Sequence, residues 1–194
     1  MNTKPIATAV IVPGLRDHVA EHWQTLLETK LSKVRNVVSV PPLRVDGLNC
    51  AARVEAIQQT LKTVQGPVIF VAHSGGVVML LHWAQKYQCD VKGAVLATPP
   101  DFETPLPAGY PTLETLTNNG WLPVPMRRLP FPSVVVASTN DPLASFASVE
   151  TMAKQWGSKL INAGEVGHLN PAAGYGEWPR ADELIRELDA EPVC

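Results

Sequence analysis

The sequence predicts one α/β domain, a compact fold in which a roughly six-stranded parallel sheet carries helices on both faces. Three observations lead there. Short β-branched apolar runs alternate with stretches of helical periodicity, the pattern of strands joined by crossover helices. One of those runs passes into a helix through a single bend flanked by small residues. The chain's 194 residues, 45% of them hydrophobic, suffice for one substantial core and not for two, so residues 1–194 are read as a single domain.

The elements follow in order. Ala7 to Val12 is a short apolar strand stopped by Pro13-Gly14, and a polar loop from Leu15 to Glu21 leads into a helix beginning at Trp23. Val34 to Val40 is a second strand, ended by Pro41-Pro42. From Asn49 to Val64 the apolar residues Val54, Ile57, Leu61 and Val64 recur at helical spacing, and Gln65-Gly66-Pro67 closes that helix. Val68 to Ala72 is uninterrupted and apolar, as a strand covered on both faces must be, and Val77 to Ala84 continues as a helix. Val91 to Ala97 and Ser133 to Ser138 are further strands. Phe146 to Trp156 is a helix, Lys159 to Asn162 a sixth short strand, and Ala181 to Leu188 a terminal helix. Right-handed crossovers between parallel strands place ligand sites at the strands' carboxyl ends.

Residues 98–132 interrupt the alternation. Nine of the chain's 18 prolines fall there, which excludes long regular helices and predicts an inserted cap or rim.

Sixteen basic and eighteen acidic residues give a net charge of -2 without runs of like charge, which predicts neither a nucleic-acid nor a membrane partner but a small, weakly charged one. Cys50, Cys89 and Cys194 lack the spacing of a disulfide framework or a zinc site, and a reducing, cytoplasmic setting fits them. The run Ile6 to Val12 is too short for a signal peptide, and no apolar segment reaches the length of a membrane span.

The chemistry centres on Ala72-His73-Ser74-Gly75-Gly76. A strand that turns into a helix within one residue needs small neighbours, and it exposes the hydroxyl of that residue on a rigid support, the nucleophile-elbow pattern. The helix that starts after Ser74 offers unpaired N–H groups to a developing anion, so the Gly75 N–H is read as one oxyanion donor. The Leu15 N–H, after the first strand, is read as the second. Asp141, in Thr139-Asn140-Asp141-Pro142, and His168, in Gly164-Glu165-Val166-Gly167-His168, follow the fifth and sixth strands. The chain order is nucleophile, acid, base. His168 takes the Ser74 proton, and Asp141 fixes its tautomer.

Other residues compete for these roles. Asp141 also suits an Asx turn before Pro142, with Asp101 and then Glu165 as reserve acids. His18 and His22 share a helix face without a third ligand, so no metal site and no cofactor is predicted. His82 reads as a hydrogen-bonded core histidine. Trp23, Trp121, Trp178, Tyr175 and Phe102 are candidates to line an apolar acyl pocket bordered by His73.

Val12-Pro13-Gly14 with His22-Trp23, Ala72-His73-Ser74-Gly75-Gly76, Asn140-Asp141-Pro142, Gly167-His168-Leu169-Asn170 and Gly174-Tyr175-Gly176-Glu177-Trp178-Pro179 together resemble the small serine hydrolases of the retinoblastoma-binding-protein-9 and YdeN type. The resemblance implies a compact α/β-hydrolase fold and carries nucleophile, acid and base onto Ser74, Asp141 and His168. It departs at Gly75, where a larger residue is expected, and that departure predicts a wider pocket wall. The sequence thus points to a metal-free hydrolase of small carboxylic esters, thioesters or activated amides acting through an acyl-enzyme. A second reading keeps the fold but assigns the proline-rich residues 98–132 to binding a protein partner.

Overall fold

The computed structural model describes residues 6–17, 19–43 and 45–190; His18 and Cys194 lie outside them. Six strands, β1 (Thr8–Val12), β2 (Val37–Ser39), β3 (Val68–His73), β4 (Val91–Ala97), β5 (Ser133–Ala137) and β6 (Lys159–Asn162), form one sheet in the order β2-β1-β3-β4-β5-β6. Every pairing is parallel. The helices are α1 (Trp23–Leu31), α2 (Cys50–Leu61), α3 (Gly75–Lys86), α4 (Leu113–Asn118), α5 (Phe146–Trp156) and α6 (Pro179–Ala190). This is the α/β architecture expected from the alternation.

Side chains of β1 and β3 point alternately to two cores, as the period of a pleated strand requires. Val10, Val12, Phe70 and Ala72 face α2, α3 and α5, whereas Ala9, Ile11, Ile69 and Val71 face α1 and α6. Because both faces are covered, the central strands carry no polar alternation. Caps define the helix starts: Asn49 accepts from the Ala52 N–H at 2.9 Å, and Ser145 from the Ser148 N–H at 3.1 Å.

Residues 98–132 are continuous with the first core. Phe102, Leu116, Trp121, Val124, Leu129 and Phe131 are all buried in it, and α4, a helix of six residues, is the single helix of this stretch. Trp121 is fully enclosed, stacks edge-on against Phe102, and donates its indole N–H to the Leu48 carbonyl at 2.6 Å. Its own carbonyl meets His82 Nε2 at 3.1 Å. The large apolar side chains of the segment therefore belong to the core shared with α2, α3 and α5.

Among the described residues no helix is long and apolar enough to cross a membrane. Replacing Trp121 with alanine is expected to lower stability by about 3–5 kcal/mol, read from urea unfolding. A detachable cap would leave the transition of the main domain unmoved.

Candidate active site

Ser74 stands between β3 and α3 with φ 55° and ψ -132°, a backbone conformation costly for a residue with a side chain. Its surroundings hold it there. The Ser74 N–H donates to the Ala97 carbonyl at 3.0 Å, and its carbonyl accepts from the Val77 N–H at 2.9 Å. Two residues on, a Cβ at Gly76 would press on the Val12 carbonyl oxygen and lie 2.6 Å from that of Pro13. Only glycine lets α3 start this close to the end of β1.

His168 lies in the loop after β6 and Asp141 in the loop after β5. His168 Nε2 is 2.7 Å from Ser74 Oγ, and its Nδ1 is 2.9 and 3.0 Å from the two Asp141 oxygens. A carboxylate only accepts, so Nδ1 carries the proton and Nε2 is left to accept from the Ser74 hydroxyl. Asp141 also accepts from the Leu143 N–H at 2.9 Å; the turn and the histidine contact coexist in one side chain. Asp101 is engaged elsewhere, by the Ser148 hydroxyl at 2.6 Å and the Glu103 N–H at 3.1 Å.

The two loops are tied together. Asn140 Oδ1 accepts from the Gly167 N–H at 2.6 Å and from the Ser138 hydroxyl at 2.9 Å. Gly167 has φ 56°, and a Cβ there would lie 2.7 Å from that of Ala173, so this position also requires glycine. The His168 carbonyl accepts from His73 Nε2 at 2.9 Å and from the Thr98 hydroxyl at 3.4 Å.

His73 is thus a buried support beneath the histidine as well as part of the cavity wall. Burial, with His168 and His22 nearby, holds its pKa well below the ordinary imidazole value. The His22 and His73 rings lie 4.6 Å apart, and His73 and His168 5.0 Å apart. His22 caps α1, its Nδ1 accepting from the Gln24 N–H at 3.2 Å.

The loop after β1 is clamped by Arg53 of α2. This buried guanidinium donates to the carbonyls of Gly47, Gly14 (3.4 Å) and Leu15 (3.1 Å), and pairs with Asp17 at 3.0 Å. The Asp17 N–H also donates to the Gly14 carbonyl at 3.0 Å. In a trans peptide C=O and N–H point in opposite directions, so fixing the Gly14 carbonyl on Arg53 turns the Leu15 N–H the other way. Neither the Leu15 nor the Gly75 N–H has a hydrogen-bond partner among the described residues.

A cavity of about 380 Å³ opens over Ser74, His73 and His168, with Leu15, Leu48, Phe102, Tyr110, Pro111 and Leu143 among its walls. Of the expected aromatic lining, Phe102 and His73 reach it. Trp23, Trp121, Trp178 and Tyr175 do not. Trp121 is enclosed in the core, and Tyr175 packs against the second core. Trp23 and Trp178 meet edge-on at 4.8 Å beside a separate hollow near α1 and α6. The wall is not widened at Gly75 either, because the Leu15 side chain fills that space, 2.8 Å from where a Cβ would be.

Burial pushes the Cys50 thiol up to about 12 and the Cys89 thiol up to about 11, so both stay protonated at neutral pH and neither is an activated nucleophile.

The profile of the serine hydrolase family matches residues 9–187. The chain belongs to the serine hydrolase family. Its fold is similar to that of a YdeN-like hydrolase from Pectobacterium atrosepticum, 29% identical, with TM-score 0.76 over 94% of this chain and 90% of the other. The ydeN gene product of B. subtilis is 16% identical with TM-score 0.71, covering 95% of this chain and 100% of that one. Est1E from Butyrivibrio proteoclasticus, 12% identical, gives TM-score 0.68 over 97% and 87%. No curated protein sequence matches.

Two outcomes are expected. Gly76→Ala should lower stability by ~1–3 kcal/mol or more, since backbone atoms must move to admit the methyl group, measurable by urea unfolding. Unfolded His73 takes up a proton below about pH 6.5, whereas the folded residue resists it. Unfolding therefore binds protons, and stability should fall as pH drops below that value, by up to ~1.4 kcal/mol per pH unit for this group. Urea midpoints between pH 7.5 and 5 test this, with a shallower slope expected in His73→Gln.

Proposed function

We propose that the chain hydrolyses small carboxylic esters through an acyl-enzyme on Ser74, with His168 as general base and acid and Asp141 orienting it. The observation that carries this reading is the unbroken contact from Asp141 through His168 to Ser74 Oγ, with steps of 2.9 and 2.7 Å, at the floor of the cavity.

Ser74 Oγ attacks the ester carbonyl carbon while His168 Nε2 takes its proton. The carbonyl π electrons move onto oxygen, and the N–H groups of Gly75 and Leu15 receive that oxyanion. When the intermediate collapses, the C–O bond to the alcohol breaks and His168 returns the proton to the leaving alkoxide. Water then enters, gives a proton to His168 and attacks the acyl carbon; the carboxylic acid leaves and Ser74 recovers its hydrogen. The apolar walls hold the organic part of the ester, and the cavity's size suits short acyl or alcohol groups. Thioesters and activated amides offer the same carbonyl.

Arg53 serves as a positioning residue in this scheme. It touches no reacting atom, but it fixes the peptide that carries the Leu15 N–H. The partner-binding reading of residues 98–132 has weaker support, because the large apolar side chains of that segment face inward.

A fluorophosphonate probe should label Ser74, and labelling should vanish in Ser74→Ala and in His168→Ala. Ester cleavage that persists in folded Ser74→Ala protein would sink the proposal. Arg53→Met should lower kcat about tenfold or more with a smaller change in KM, while Arg53→Lys recovers part of the loss; equal losses in both, with unfolding, would make Arg53 merely structural.

A further inference from the structure

The charges around the cavity do not balance. Arg16 and Asp17, both in the loop after β1, line it. Asp17 is paired with Arg53, whose side chain is 5% exposed, and so contributes no free negative charge. Asp141 is taken up by His168. Arg16 is left as a cation without a carboxylate partner among the described residues.

Its geometry is that of a donor group held ready. The Arg16 guanidinium carbon stands 5.1 Å from the centre of the Tyr110 ring, and Tyr110 belongs to the opposite rim, contributed by residues 98–132. A cation–π contact draws on the charge of the guanidinium and requires none of its N–H groups to find an acceptor. None of them has an acceptor among the described residues. The planar fork is the group best matched to a carboxylate, which it binds through two parallel hydrogen bonds. Arg16 also follows Leu15 directly and lines the same cavity as Ser74, so this cation is rooted one residue from the proposed oxyanion donor.

We propose that Arg16 is a specificity-determining residue that binds a carboxylate on the substrate, so that the preferred esters carry an anionic group on their acyl or their alcohol part. The inference rests on the ester-hydrolase reading and narrows its substrate class. It also departs from the weakly charged ligand suggested by the chain's overall charge: a near-zero total conceals one local excess.

The test compares matched esters that differ in a single charge. On the acyl side these are 4-nitrophenyl hemisuccinate and 4-nitrophenyl butyrate; on the alcohol side, 4-carboxyphenyl acetate and phenyl acetate. For each protein the ratio of kcat/KM, charged over neutral, is the readout, so that changes common to both esters cancel. In at least one pair the ratio should fall about tenfold in Arg16→Gln, as loss of a hydrogen bond to a charged group implies. It should fall further in Arg16→Glu and be partly kept in Arg16→Lys. Raising NaCl from 0.05 to 0.5 M should lower the ratio in the native protein and leave it nearly constant in Arg16→Gln. Ratios unchanged by Arg16→Gln in both pairs, with neutral esters still cleaved, would overturn the carboxylate assignment alone. Failure of the native protein to cleave any of the four esters would overturn the ester reading and this inference with it.

Discussion

At Gly76 the first turn of α3 runs against the carbonyls of Val12 and Pro13 with no room for even a methyl group. The arrangement of the site depends on that approach. It brings the end of β1 beside the end of β3, so that the loop carrying Leu15 and the bend carrying Ser74 share one corner. It also helps to hold the positive φ of Ser74, which hydrogen bonds to Ala97 and from Val77 fix on either side. A strained residue persists only where its surroundings over-determine it, and here backbone contacts from β1, β4 and α3 do so.

The remaining order comes from polar groups beneath the reacting atoms. Asn140 joins the loops after β5 and β6, His73 and Thr98 hold the His168 carbonyl, and Arg53 holds the loop after β1. Gln24 bridges the Val12 and Val71 carbonyls at 3.1 and 2.9 Å, tying β1 to β3 just below the cavity. Each of these side chains is fixed by hydrogen bonds to the backbone. The proposed catalytic groups are therefore positioned by main-chain geometry, which moves less readily than side chains do.

Much of the architecture was legible because its signals are local. A β-branched run such as Val68 to Ala72 and the small residues around Ser74 announce their own conformation, and chain order placed Asp141 and His168 at strand ends. The cavity wall was harder to read. An aromatic residue carries the same local signal whether it fills a core, as Trp121 does, or lines the cavity, as Tyr110 does; only the path of residues 98–132 separates them. Gly75 misled for a related reason, since the space its missing side chain leaves is taken by Leu15, sixty positions earlier. Arg53 did leave a trace. It lies on the buried stripe of α2 with Cys50, Val54 and Ile57, where a charged residue needs a partner, but the sequence does not say which carbonyls satisfy it.

The contact between Leu15 and Gly75 makes the two positions a single volume. A larger side chain at 75 can be admitted only if the one at 15 shrinks or turns away, and a smaller one at 15 opens a gap that a side chain at 75 could fill. For anyone reshaping this pocket, a library that varies either position alone would sample mostly clashes or voids, whereas paired exchange keeps the wall intact. The identity of the residue after the serine is then a statement about the loop facing it, and neither can be interpreted without the other.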